Sequence, residues 1–440
     1  MSIRLVIVGG VAGGASAAAR ARRLNEDADI TIVERSEAPS FANCGLPYYV
    51  GGVIKSRARL LVTREETLRL RYRLDVRTRS EALAIDRSKK IVRVRDLASD
   101  RTYDLPYDKL ILSPGATPLV PPIPGADLPG VFTLRDLHDA DTLRSAASRA
   151  NSAMVIGGGF IGLEMAENLV HQGVATTIVE LASQILPPWD SEMAAPIADH
   201  LKESGVTLHL SDAAERIAEH EGRLQIHLRS GAHASADLVV MSVGVRPENQ
   251  LAVDAGLDVA ERGGIVVNRH MQTSDADVYA VGDAVQVEHF VDQSPAQIPL
   301  GGPANRQGRI AADHMFGRDS AYRGTQGTAV VGVFGMTAAM TGLSEKALKA
   351  ADVLYEKAYV HPSHHAGYFP GAEAMSVKML FQRDGGNILG AQIIGGSGVD
   401  KRIDVLAMAI QARLTVYDLE ESELAYAPQY GSAKDPVNMV

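Results

Sequence analysis

Cysteine is almost missing from this chain: Cys44 stands alone among 440 residues. A single thiol excludes an intramolecular disulfide framework, a cysteine-rich zinc or iron–sulfur centre, and a dithiol redox pair within one chain. No metal site is expected. No run of about 18 uncharged apolar residues occurs, so no membrane-spanning helix is expected. The N-terminus passes from a short apolar run straight into glycines without a signal-peptide pattern, and a cytoplasmic location is the expectation. Positive charge is in deficit, with 44 Lys and Arg against 53 Asp and Glu, a net of −9. That balance disfavours a general nucleic-acid surface and leaves room for a local basic pocket.

What remains is ordinary globular composition, 46% hydrophobic and 22% charged, in a chain long enough for about three domains. An internal duplication organises it. Residues 3–8 form an apolar run, Gly9-Gly10-Val11-Ala12-Gly13-Gly14 follows, and an alanine-rich helix extends to about Leu24. A strand over 30–33 then ends on Glu34, where a doubly wound fold places the acid that holds a ribose hydroxyl pair. The same events recur at 153–156, at Gly157-Gly158-Gly159-Phe160-Ile161-Gly162, in a helix through Val170, and in a strand over 176–179 ending on Glu180. Both copies close alike, since 109–112 with Ser113-Pro114-Gly115 parallels 237–241 with Ser242-Val243-Gly244. Repetition of opening and closing elements is stronger evidence than either glycine motif alone.

In the second copy all three fingerprint glycines (157, 159, 162) are in register, providing the turn, the approach to a pyrophosphate and the helix–strand contact. In the first copy Val11 replaces the middle glycine, so a somewhat different backbone path past the phosphates is expected. A glycine turn without nucleotide is the alternative for that loop. Residues 277–284 form a third feature, a strand ending on Gly282-Asp283, whose acid can accept from ribityl or ribose hydroxyls or, alternatively, cap a helix. Six prolines between 114 and 129 mark a crossover too proline-rich for a helix or a central strand. From about Gly327 the glycine fingerprint is gone, and strands over 353–360, 375–381 and 388–394 precede a helix at about 400–413.

These elements, in this order, resemble the FAD-dependent pyridine nucleotide-disulfide oxidoreductases over essentially the whole chain. Ser40-Phe41-Ala42-Asn43-Cys44-Gly45-Leu46-Pro47-Tyr48-Tyr49 and Tyr426-Ala427-Pro428-Gln429-Tyr430, with Lys434-Asp435-Pro436, resemble the coenzyme A disulfide reductase branch. The resemblance implies an α/β protein with two Rossmann-like domains, an NAD(P)H-binding domain (118–247) inserted into an FAD-binding domain (1–117 and 248–326), and a C-terminal α+β dimerisation domain (327–440). It implies a homodimer, FAD and NADH as cofactors with NADPH as the alternative, and a small-molecule disulfide or polysulfide as substrate. Cofactor contacts are expected at Gly9, Val11, Ala12, Gly14, Glu34, Gly115, Gly282, Asp283 and Asn305, and at Gly157, Gly159, Phe160, Ile161, Gly162, Glu164, Glu180 and Gly244. Glu180, with no arginine in the next three residues, favours NADH.

By the same resemblance Cys44 cycles between thiolate and a mixed disulfide with coenzyme A, on electrons passed from NADH through the flavin. Its place ahead of Leu46-Pro47-Tyr48 is where a helix N-terminus would favour thiolate; a buried, inert cysteine is the plain alternative. Tyr368 and Tyr426 match tyrosines that donate a proton to a departing thiolate. Ser16, Arg20, Arg23, Ser40, Asn43, Arg71 and Lys434 match substrate-contacting positions. Nine basic residues from Lys55 to Arg79 form an island suited to coenzyme A phosphates, or simply a solvated face. Polysulfide or persulfide reduction, a flavin NADH oxidase or peroxidase, and a non-catalytic redox sensor are the competing readings. Ala12 stands where the oxidase and peroxidase branch usually carries a histidine. Acid-released cofactor should chromatograph as FAD, because FMN has no adenosine ribose for Glu34; recovery of FMN would contradict the assignment.

Overall fold

The computed structural model describes residues 2–440. They form two compact units, each assembled from three separate stretches of chain. The first unit comprises the chain up to Gly45, Ser56–Thr117 and Val245–Thr325; the second comprises Leu46–Lys55, Pro118–Gly244 and Gln326–Val440. Among the described residues no helix is long and apolar enough to cross a membrane.

In the first unit a parallel sheet runs in the order Val278–Ala280, Lys109–Leu112, Arg4–Val8, Asp29–Val33, Asp75–Arg77. Its central strands are buried on both faces, which is why they read as continuous apolar runs rather than alternating ones. The first glycine helix, Ala12–Leu24, buries Ala17, Ala18 and Ala21. Its small residues let it pack backbone to backbone on the helix Gly301–Met315: a Cβ on Gly308 would lie 2.2 Å from the Gly13 carbonyl oxygen.

The second unit repeats the plan. Its parallel sheet runs Thr207–Leu210, Ala175–Glu180, Ser152–Ile156, Leu238–Met241, Val131–Phe132. In both copies the closing strand pairs directly with the opening one, Val8 opposite Leu112 and Ile156 opposite Met241, so the duplication read in the sequence is a duplication of sheet register. The same unit holds an antiparallel sheet ordered Ala329–Val333, Met336–Gly342, Ile388–Gly395, Met375–Gln382, Tyr355–Val360, backed by the helix Val399–Gln411. Its first two strands, Ala-Val-Val-Gly-Val and Met-Thr-Ala-Ala-Met-Thr-Gly, are short or lack a regular apolar–polar alternation and were not evident in the sequence.

Inside this unit Lys378 is wholly buried on the strand Met375–Gln382. Its ammonium donates to Asp190 (2.7 Å), Glu192 and Glu345, and Asp190 also accepts from Gln392 (2.7 Å). The three carboxylates converge as a metal-binding set does, with the lysine ammonium in the cation's place. Burial by itself would push the Glu345 carboxyl up, but hydrogen bonds from Lys378, Tyr355 and Lys357 outweigh it and hold it well below its ordinary 4.5. Its contribution to stability is therefore present above that value and is lost as the pH falls below it. Lys378→Met should destabilise the protein by about 3–5 kcal/mol, because it leaves buried carboxylates without their counter-charge. Thermal or urea unfolding followed through the fully buried Trp189, the sole tryptophan, reads this within the second unit.

Candidate functional site

Each parallel strand runs into a loop shaped by the strand beside it. Gly9 has φ +96° because a Cβ there would lie 2.1 Å from the Ser113 carbonyl oxygen; Gly157, at φ +112°, faces Ser242 in the same way at 2.4 Å. Only glycine fits. Two residues further on, Val11 and Gly159 begin their helices with similar backbones (φ −86°, ψ −145° and φ −81°, ψ −172°). A Cβ on Gly159 would meet nothing within 4 Å, so the fold itself tolerates a side chain there, and Val11 uses that tolerance. At the third position close packing returns, since a Cβ on Gly14 or Gly162 would lie 1.9 or 2.0 Å from the carbonyl oxygen of Gly9 or Gly157.

The acids are held identically. The Gly10 N–H donates to Glu34 Oε2 (2.7 Å) and the Ser36 N–H to Oε1 (2.8 Å); in the second copy Gly158 and Ala182 donate to Glu180 at 2.6 and 2.7 Å. Both carboxylates are buried, and each oxygen retains a lone pair for a ribose hydroxyl. Neither glycine helix has a side-chain N-cap or an acid in its first turn, so their leading N–H groups are left to an anion. Bare helix N-termini over a glycine loop, each beside a buried carboxylate, fit two dinucleotides, one in each unit. Gly115 (φ +76°) and Gly244 (φ +118°) follow the two closing strands.

The first loop is joined by a further acid in the same unit. Gly282 (φ +82°) donates its N–H to Gln307 Oε1 (2.8 Å), and Asp283 follows in the single turn Gly282–Ala284. Burial alone pushes the Asp283 carboxyl up from its ordinary value. Gln307, buried on the helix Gly301–Met315, had no signal in the sequence because its partner lies in a different element. On that helix Asn305 accepts from Ser16 (2.7 Å), which joins a residue expected at the cofactor to one expected at the substrate.

Cys44 is exposed in the turn Asn43–Gly45, directly before the short helix Leu46–Val50. Asn43 is exposed beside it, whereas Ser40 is buried, adopts φ +56°, and donates its N–H to the Gly10 carbonyl (2.9 Å), tying the thiol loop to the first glycine loop. The arginines divide. Arg20 is half-buried in an ion pair with Asp313 (2.7 Å), so its charge is already matched within the unit. Arg23 and Arg71 converge on the Tyr72 ring, each 5.8 Å from its centroid.

In the second unit the Glu164 carboxyl accepts from Tyr48 Oη (3.1 Å), and burial pushes its pKa up. Phe160 and Ile161 occupy the first turn of the second glycine helix, half-buried. Tyr368 and Tyr426 share a hydrogen bond (2.7 Å) between exposed hydroxyls, a bond that raises the Tyr368 pKa. Lys434 is exposed next to Asp435, which is committed to the buried Arg402 (2.9 Å).

Comparison with known proteins agrees with this geometry. Residues 3–306 match the family described as pyridine nucleotide-disulphide oxidoreductase, and residues 328–435 match its dimerisation domain. A curated relative from Staphylococcus epidermidis, named coenzyme A disulfide reductase, is 34% identical over 99% of this chain and 98% of its own. The reduced Bacillus anthracis protein CoADR-RHD has a TM-score of 0.98 at 49% identity, covering 100% of this chain and 79% of that one. An NAD-dependent persulfide reductase from A. fulgidus has a TM-score of 0.96 at 37% identity, covering 99% of this chain and 82% of that one.

The two glycines of the second loop should separate fold from binding. Gly162→Ala, forced against a carbonyl, should lower stability by about 1–3 kcal/mol. Gly159→Ala should cost about 1 kcal/mol or less in stability and weaken NADH about tenfold by crowding the phosphates. Thermal melts and NADH titrations of both variants check the contrast.

Proposed function

Because the chain belongs to the pyridine nucleotide-disulphide oxidoreductase family, we propose that it reduces coenzyme A disulfide with NADH through its single thiol, Cys44. The observation that carries this reading is the exposed Cys44 on a loop hydrogen-bonded through Ser40 to the first dinucleotide-type glycine loop. With no second cysteine in the chain, Cys44 has no disulfide partner within it, and the family resemblance makes the substrate that partner.

The chain's own residues then have distinct tasks. Glu34 and the loop at Gly9–Gly14, with Gly282 and Asp283, hold FAD, which when bound supplies a two-electron relay between dihydronicotinamide and disulfide. Glu180 and the loop at Gly157–Gly162 hold NADH, and the Glu180 carboxylate repels the 2′-phosphate of NADPH. The Cys44 thiolate attacks one sulfur of coenzyme A disulfide, forming Cys44–S–S–CoA and expelling one coenzyme A thiolate, which takes up a proton. Two electrons from NADH then cleave the mixed disulfide, and the second coenzyme A leaves protonated while Cys44 returns to thiolate. The sum is one disulfide, one NADH and one proton converted to two thiols and NAD. Tyr368 and Tyr426 supply protons to the departing thiolates within a homodimer, and the enzyme works in the cytoplasm. Arg23 and Arg71, gathered at Tyr72, are the readiest phosphate ligands, with Ser16, Ser40, Asn43 and Lys434 completing the substrate contacts; Arg20 serves only by giving up part of its pairing to Asp313.

Cys44→Ser should retain FAD and still allow NADH to bleach its absorbance, while turnover of coenzyme A disulfide falls by about a thousandfold or more, a loss of about 4 kcal/mol in transition-state stabilisation. Retained disulfide turnover in that variant refutes the reading. If wild-type protein turns over inorganic polysulfide with a higher kcat/KM than coenzyme A disulfide, and Arg23→Ala leaves both unchanged, the acceptor is instead a sulfane sulfur attacked by the same thiol.

A further inference from the structure

The second glycine helix, Phe160–His171, carries a polar stripe at Glu164, Asn168 and, at its C-terminal end, Gln172. Residues four apart share one face of a helix. All three meet the segment that follows the thiol. Tyr48 donates to Glu164, the Gln172 amide donates to the Gly51 carbonyl, and Gly51 lies so close that a Cβ on it would sit 2.1 Å from Asn168 Oδ1 and 2.5 Å from Asn168 Cβ. The opposite side of the segment is held by the helix Leu137–Ala147. Tyr49 donates to Asp141 (2.9 Å), the Arg144 guanidinium lies 4.3 Å from the centre of the Tyr49 ring, and Arg144 donates to the Ile54 carbonyl.

One member of the stripe is poorly served. Asn168 is 1% exposed and donates to the Glu164 carbonyl (2.8 Å), yet its Oδ1 has no hydrogen-bond partner. A buried acceptor left unpaired is costly, and an apolar side chain would fill the same space without that cost. The arrangement favours a fixed seat for the segment over maximal stability. That seat matters because the chain leaves the first unit at Gly45 and enters the second at Leu46, two residues past the thiol. Along the chain, only Gly45 separates Cys44 from Leu46–Lys55.

We propose that Glu164, Asn168 and Gln172 act as positioning residues that set the geometry and reactivity of the Cys44 thiol by gripping the segment Leu46–Lys55. The inference rests on Cys44 being the redox thiol, and its test is separate from that reading. The FAD-loaded protein is alkylated with iodoacetamide across a pH series, and the Cys44 adduct is followed by intact mass. Gln172→Ala and Tyr48→Phe should each slow alkylation at neutral pH at least threefold or shift its pH midpoint, and should lower kcat for coenzyme A disulfide without raising KM for NADH. Gln172→Lys, which retains a donor for the Gly51 carbonyl, should restore wild-type behaviour. Wild-type alkylation profiles in both Gln172→Ala and Tyr48→Phe, with FAD retained, overturn the proposal. Alkylation reads thiol positioning whether or not the disulfide is turned over, whereas failure of the underlying reading appears separately, as disulfide turnover surviving Cys44→Ser.

Discussion

A buried carboxylate tied to the backbone amide of a glycine loop is the constraint from which both nucleotide-type sites follow. Glu34 and Glu180 each lie at the end of the strand that pairs with the one opening its own glycine loop, and each is satisfied by two N–H groups of the chain rather than by a cation. That satisfaction requires the loop to fold back over the strand end. The fold-back in turn forces the first glycine against the neighbouring strand's carbonyl and the third glycine against the first. Once those contacts are made, the helix N-terminus stands over the strand ends with its leading amides unused. An anion site is thus a by-product of satisfying one acid without a counter-ion, and the chain builds it twice.

Features generated by local periodicity were legible in the sequence. The opening and closing strands, both glycine helices, the two glutamates and the last three strands of the C-terminal sheet fall where apolar runs and glycine clusters indicate. Features generated by partners far apart in the chain were not. Lys378 is a lone cation in an apolar strand, and nothing near it announces that Asp190, Glu192 and Glu345 will close around it. Arg20 reads as a phosphate ligand until Asp313 appears beside it, and Tyr72 reads as filler until Arg23 and Arg71 converge on its ring. Val11 departs from the glycine pattern at the one position where the fold leaves room for a side chain; the pattern alone cannot distinguish a glycine needed by the backbone from one needed by a ligand.

Two buried polar groups of the second unit show opposite solutions. Lys378 is surrounded by acceptors, and its desolvation is offset by three carboxylates. Asn168 is served on its amide side only, and its oxygen is sealed against Gly51. The first ties the strand Met375–Gln382 to the helix Ser191–Glu203, so that sections of chain distant in sequence share one core. The second adds no net bonding and defines a single place for the segment beyond Cys44, a distinction between holding a fold together and holding one part of it still.

The threading of the two units also bears on how the chain folds as it leaves the ribosome. The edge strand Val278–Ala280 and the helix against which Ala12–Leu24 packs, Gly301–Met315, belong to the first unit, so that unit cannot close until more than two-thirds of the polypeptide has been synthesised. The second unit waits for the antiparallel sheet at the C-terminal end. The sheet of the second glycine fold has all its strands by Met241, whereas in the first the strand Lys109–Leu112 waits for Val278–Ala280, meanwhile a parallel edge of continuous apolar sequence. Premature pairing between the two look-alike sheets is the misfolding route this architecture invites, and holding such edges apart during synthesis is a demand placed on chaperones rather than on the native contacts.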